Sequence, residues 1–141
     1  MAAYSKATGD ADAQTAANRA AEVFLSRRLF RRHRDGKVMN PQFLRLHYPC
    51  YWRYDILFGL KVMAEAGHIR DPRCADALDQ LEALRLPDGG WPAHERFYRA
   101  LGSNTSHADR VSWGGVAKDR MNEWVTADAL TVLAAAQRLT S

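Results

Sequence analysis

The sequence predicts an all-α fold on three observations. Four segments place their apolar residues on one helical face, at spacings of three and four. No segment alternates apolar and polar residues as a half-buried strand does. Helix punctuation brackets the segments: Gly36 and Gly67 follow two of them, and Asp71-Pro72 opens a third.

In chain order, residues 1–15 are rich in Ala, Thr, Asp and Gly, show little periodicity, and read as a flexible N-terminal arm or a frayed helix start. Residues 16–141 make up the domain proper. The first helix is expected from about Thr15 to His33. Arg34-Asp35-Gly36 stops it, because glycine takes the left-handed conformation that follows a helix end. Pro41 and Pro49 mark residues 37–53 as a connecting loop. The second helix covers about Tyr54 to Ala66, with Ile56, Leu57, Leu60, Met63 and Ala64 along its inner face. The third takes Asp71 as its N-cap and Pro72 as its first residue, and runs to Leu86 with Cys74, Leu78, Leu81 and Leu84 as its stripe. Residues 87–122 lack periodicity but hold Trp91, Phe97, Tyr98 and Trp113, so this segment is expected to be packed. Loops of that length are usually functional. The last helix opens at Asn122 and runs to about Arg138, with Val125, Ala129, Val132, Leu133 and Ala136 facing inward.

Composition bounds the function. The chain has 141 residues, 47% of them hydrophobic and 26% charged, which suits one globular domain with a real core. No apolar run reaches the roughly 18 residues of a spanning helix. The first twenty residues lack the apolar region of a secretory signal. Cys50 and Cys74 are too few for a disulfide scaffold and are expected as reduced thiols in a cytoplasmic chain. The net charge is +4, and Arg27, Arg28, Arg31, Arg32 and Arg34 supply more than all of it. On a helix these five span an arc of about 160°, with Leu25, Leu29 and Phe30 opposite. Such a basic amphipathic helix suits a solvated outer face or an anionic membrane surface. No nucleic acid partner is expected, since basic residues are not spread along a groove with base-facing aromatics.

The helices repeat. Residues 54–66 match residues 124–136 at an offset of 70, pairing Leu60 with Leu130, Val62 with Val132, Ala64 with Ala134 and Ala66 with Ala136. Asp35-Gly36 and Asp88-Gly89 close the other two helices. The unit is a charged helix, an Asp-Gly turn, an aromatic-rich loop and an apolar helix, stated twice. Alanine-rich apolar helices suit the crowded inner layer of a double-layered array, and the charged helices its outer layer.

Asp88-Gly89-Gly90-Trp91, closing an outer helix, resembles the Asp-Gly-x-Trp turn of terpenoid cyclases and protein prenyltransferases. The segments Tyr48–Leu57, Asp71–Leu78 and Arg85–Trp91 resemble bacterial squalene-cyclase-like proteins (prenyltransferase/squalene oxidase repeat) of unassigned activity. Trp124-Val125-Thr126 before Ala129-Leu130 fits the next inner helix, so the resemblance covers about residues 20–138. It implies an α/α toroid, a ring of inner and outer helices. This chain would hold two inner and two outer helices, a partial ring. The departures are in the chemistry. The DxDD acid motif and the DDxxD diphosphate motif are both absent, and Asp10-Ala11-Asp12 lacks the acid pair that should follow it. The stacking glutamine of the family's repeat falls near Arg85.

Cyclisation would need a protonated carboxyl and an aromatic cavity that steadies a carbocation. Asp55 is the best acid candidate, at the start of an inner helix, where a carboxylate also suits the helix dipole without catalysis. Tyr51, Trp52, Tyr54, Trp91, Trp113 and Trp124 are the candidate ligand-lining aromatics. The same residues could staple outer-helix turns to inner-helix starts. Protein prenyltransferases bind zinc through Asp, Cys and His, and by that resemblance His47 and Cys50 would supply two ligands, with Asp88, His94 or His107 as the third. Without a CxxC pair or an HExxH helix, Cys50 reads as a packed thiol, and no metal or cofactor is expected. Ser112 lacks a nucleophile elbow, and Gly114-Gly115 with Lys118 lacks P-loop spacing. The polar run Ser103–His107 reads as a solvated connection.

The expected function is a non-catalytic toroid repeat module whose aromatic-rich face packs on a second copy or a partner toroid segment, or binds an apolar isoprenoid. The alternatives are a terpenoid- or prenyl-class enzyme completed by partner residues, and a basic peripheral membrane module.

Overall fold

The computed structural model describes residues 1–97 and 111–139. Among these residues lie the helices α1 (Ala2–Thr8), α2 (Ala11–Leu25), α3 (Ile56–Glu65), α4 (Ala75–Ala83) and α5 (Glu123–Ala135), and no strand. Short 3-10 turns precede α3 and α4, at Pro41–Leu44 and Pro72–Cys74. The all-α class therefore stands. Asp10, Asp55 and Asn122 cap α2, α3 and α5, each side chain accepting from a backbone N–H of the first turn. Asp71 does the same for the 3-10 turn that leads into α4. The run Ser103–His107 and Tyr98 lie outside the described residues.

The N-terminal third departs from expectation. Residues 1–15, read as an arm, carry α1 and the first turn of α2. Gly9 turns the chain with φ 72°, and Ser5 then donates to Gln14 across the hairpin. The helix expected to reach His33 stops at Leu25. Arg28 (φ 46°) and Leu29 (φ 69°) take left-handed backbone, and Arg31 bridges to Val38. Burial explains the break: the turn sends Leu29 and Phe30 into the core, where they are 2% and 1% exposed. Tertiary packing overrides the helical pattern. The basic amphipathic helix is therefore not formed. Arg28 and Arg31 both reach Asp76, at 3.4 and 2.9 Å, and Arg32 pairs with Asp35 at 3.2 Å.

α3 is the centre of the molecule. It packs on both α4 and α5, and it faces α2 across an apolar crevice that includes Ala21, Phe24, Val62 and Met63. Lys61 of α3 and Asp128 of α5 form an ion pair at 2.9 Å. The buried residues Ile56, Leu60 and Met63 of α3 correspond to Val125, Ala129 and Val132 of α5. That correspondence lies one residue away from the register in which the letters match best. Gly59 lets Tyr54 lie against the helix: a Cβ there would collide with the Tyr54 hydroxyl, which donates to the Leu29 carbonyl at 2.8 Å.

The Asp-Gly-Gly-Trp turn clips the two halves together. Asp88 accepts from the Gly90 N–H at 2.9 Å, and Gly89 takes φ 92°. Trp91 then enters the core fully buried, its indole N–H donating to the Leu81 carbonyl at 2.6 Å. Its backbone N–H donates to the Thr126 hydroxyl, and its carbonyl accepts from the Asn122 N–H, so the turn is bound to the start of α5. Arg85 lies over the Trp91 ring at 5.2 Å, so an arginine covers the indole at the position where the resemblance expects glutamine.

Candidate functional site

The loop from Arg45 to Asp55 forms the most chemically loaded place in the described chain. Two polar ties anchor its start. Arg45 pairs with Glu95 at 2.7 Å, and the Leu46 backbone exchanges hydrogen bonds with His94, donating to its Nδ1 at 2.9 Å and accepting from its N–H at 2.8 Å. The Tyr48-Pro49 bond is cis and Tyr51 has φ 43°, so the chain folds back sharply before α3. This brings His47 and Cys50 beside Asp55. One donor atom from each of the three lies within 4.8 Å of the others.

Asp55 is fully buried and its oxygens are occupied. Oδ1 accepts the Phe58 N–H at 2.8 Å as helix cap. Oδ2 accepts the His47 N–H at 3.2 Å and meets His47 Nδ1 at 2.9 Å. The His47 ring is 3% exposed and stands edge-on to Phe97 at 4.9 Å. Its Nε2 is buried without a hydrogen-bond partner. Cys50 is half-buried.

Burial and the Asp55 carboxylate set the electrostatics of the cluster. Burial works to lower the pKa of His47, but the hydrogen bond and charge of Asp55 outweigh it, and the net shift is upward. Burial, aided by the negative charge of Asp55, pushes the Cys50 thiol up to about 12. As it stands, Cys50 is a thiol and a poor nucleophile. Burial lowers and the Asp128 hydrogen bond raises Lys61, with the second prevailing. Burial, helped by the charge of Arg45, lowers His94.

The candidate aromatics separate into four places. Trp113 and Trp124 meet Tyr48: Tyr48 stacks on Trp124 at 5.5 Å, and Trp113 lies 5.4 Å from Tyr48 and 5.1 Å from Trp124. Trp124 is 41% exposed, so this group opens to solvent. Tyr51 and Trp52 pair at 5.9 Å on the surface, with Trp52 79% exposed. Tyr54 lies elsewhere, between Phe24 and Phe43, and its hydroxyl is held by Leu29. Trp91 is inside the core.

Of the third ligands expected to accompany His47 and Cys50, His94 spends its Nδ1 on Leu46, Asp88 belongs to the glycine turn, and His107 lies outside the described residues. Asp55 takes that place instead. The sequence did hold a signal for this. An N-cap carboxylate lies at the mouth of its helix, and only four residues separate Cys50 from Asp55.

No family model, curated protein or solved structure matches the chain.

Proposed function

We propose that this chain is a non-catalytic helical repeat module, a partial α/α toroid, that works by packing the open face of α5 on a second copy of itself. The observation that carries this is α5. Val125, Ala129, Val132 and Leu133 are buried, yet the opposite side offers Trp124, Ala127, Ala134 and Ala135 to solvent. Thr131 and Glu123 are the polar members of this otherwise apolar exposed side, and an apolar surface of that breadth marks a place where another surface packs. The pairing of α3 with α5 supports the toroid reading, because inner helices of such a ring lie side by side. Repeat units bury their faces on neighbours, and uncapped ends associate.

Light scattering on the eluting chain tests this. A dimer mass that grows in with concentration is expected, and Ala127→Glu, at an exposed site, should return a monomer of unchanged helicity. A monomer at every concentration overturns the proposal.

A second reading has its own observation. The Tyr48, Trp113 and Trp124 group is a solvent-open aromatic platform suited to an apolar, isoprenoid-like ligand. The enzyme reading has less support, because Asp55 spends its carboxylate on a helix cap and on His47. The membrane reading loses the basic helix on which it rested.

A further inference from the structure

We propose that His47, Cys50 and Asp55 form a binding site for a thiophilic divalent transition metal, with zinc the best match to the donor set.

Three features of the site carry this. The first is convergence. Three different donors, an imidazole nitrogen, a thiol sulfur and a carboxylate oxygen, lie within 4.8 Å of one another, held by a loop on one side and a helix start on the other. The second is the buried Nε2 of His47, which has no partner. A buried polar atom left unpaired is costly, and native structures tolerate few of them. His47 thus offers a ring nitrogen with no competing protein contact, while its other ring nitrogen lies 2.9 Å from Asp55 Oδ2. The third is charge. A Cys50 thiolate and the Asp55 carboxylate together carry two negative charges, which a divalent cation neutralises inside a buried pocket.

The donor set selects the metal. Magnesium and calcium take oxygen ligands, whereas mixed sulfur, nitrogen and oxygen donors suit zinc. Three protein ligands leave a fourth position open, and the half-burial of Cys50 provides the approach to it. Supporting contacts are already in place. Asp55 Oδ1 keeps the Phe58 N–H, and a metal at Oδ2 would replace its 2.9 Å contact with His47 Nδ1 while the His47 backbone N–H stays bound. Outer contacts of this kind fix ligands before the metal arrives. Binding would clip the 47–50 loop to the start of α3, without calling on any group outside the cluster.

The test uses the full chain, stripped with chelator and titrated with Co(II), whose thiolate charge-transfer band reports a sulfur ligand. One Co(II) per chain is expected, with the band lost on adding Zn(II). Cys74→Ser, at a buried thiol that donates to the His68 carbonyl, should keep the band. Cys50→Ser should lose it, and His47→Gln should weaken binding at least about tenfold. A second measurement needs no variant: Zn(II) should slow alkylation of Cys50, read by peptide mass, and leave Cys74 unchanged. Absence of the band in the folded wild-type chain, its survival in Cys50→Ser, or an unchanged Cys50 alkylation rate overturns the proposal.

Discussion

Trp91 is the largest fully buried side chain among the described residues, and its polar atom is satisfied inside the core. Trp91→Ala would empty a large aromatic site and take the indole N–H from the Leu81 carbonyl, leaving it only the Leu84 N–H. Urea denaturation should show a loss of about 3–5 kcal/mol. His94 makes a second prediction at this scale. Its Nδ1 must be unprotonated to accept the Leu46 N–H, and burial holds its pKa below the ordinary imidazole value. Below pH about 6.5 the unfolded chain takes up a proton that the folded chain refuses, so this contribution to stability is full above that pH and falls as the medium acidifies. His47, raised by Asp55, has the opposite sign: its contribution is full in acid and is lost as the pH climbs through its raised value. The measurable quantity is therefore a difference. In metal-free buffer, His94→Asn should lose less stability between pH 8 and pH 5 than the wild-type chain.

The caps are what make α3 and α5 equivalent elements. Asp55 and Asn122 each close a helix start and also bind the loop in front of it: Asp55 holds His47, and Asn122 donates through Nδ2 to the Trp113 carbonyl at 2.8 Å. Asn122→Ala removes both roles. It should cost about 1–2 kcal/mol in a thermal or urea melt and loosen the contact of Trp113 with Trp124, seen in near-ultraviolet dichroism. These elements were legible in sequence because their signals are local. Asn122, Asp71 and the stripes of α3, α4 and α5 all stand within a residue or a few of their expected positions. The end of α2 was not legible. Leu25, Leu29 and Phe30 carry a helical spacing, and only the demand of a core assembled from distant segments turns the chain at Arg28.

For the whole molecule, the exposed α5 face sets how the chain behaves at different concentrations. If copies cover one another there, the folded state gains by mass action, and the melting temperature should rise with chain concentration. Ala127→Glu should flatten that dependence. The site was legible only in pieces: His47 and Cys50 stood out as a pair, and Asp55 as an acid. Their meeting depends on the loop reversal at Pro49 and Tyr51, a conformation that spacing alone does not specify. The Tyr48–Trp113–Trp124 stack has one further consequence. Its members come from the loop ahead of α3 and the loop and first turn at α5, so the rings meet only when both halves are docked. Only Tyr48 crosses from one half to the other, and its ring stacks on Trp124 at 5.5 Å. The molecule thus carries a built-in optical gauge of its own assembly, a near-ultraviolet signal of the Tyr48–Trp124 pair that should vanish when the halves separate even while each helix keeps its far-ultraviolet spectrum.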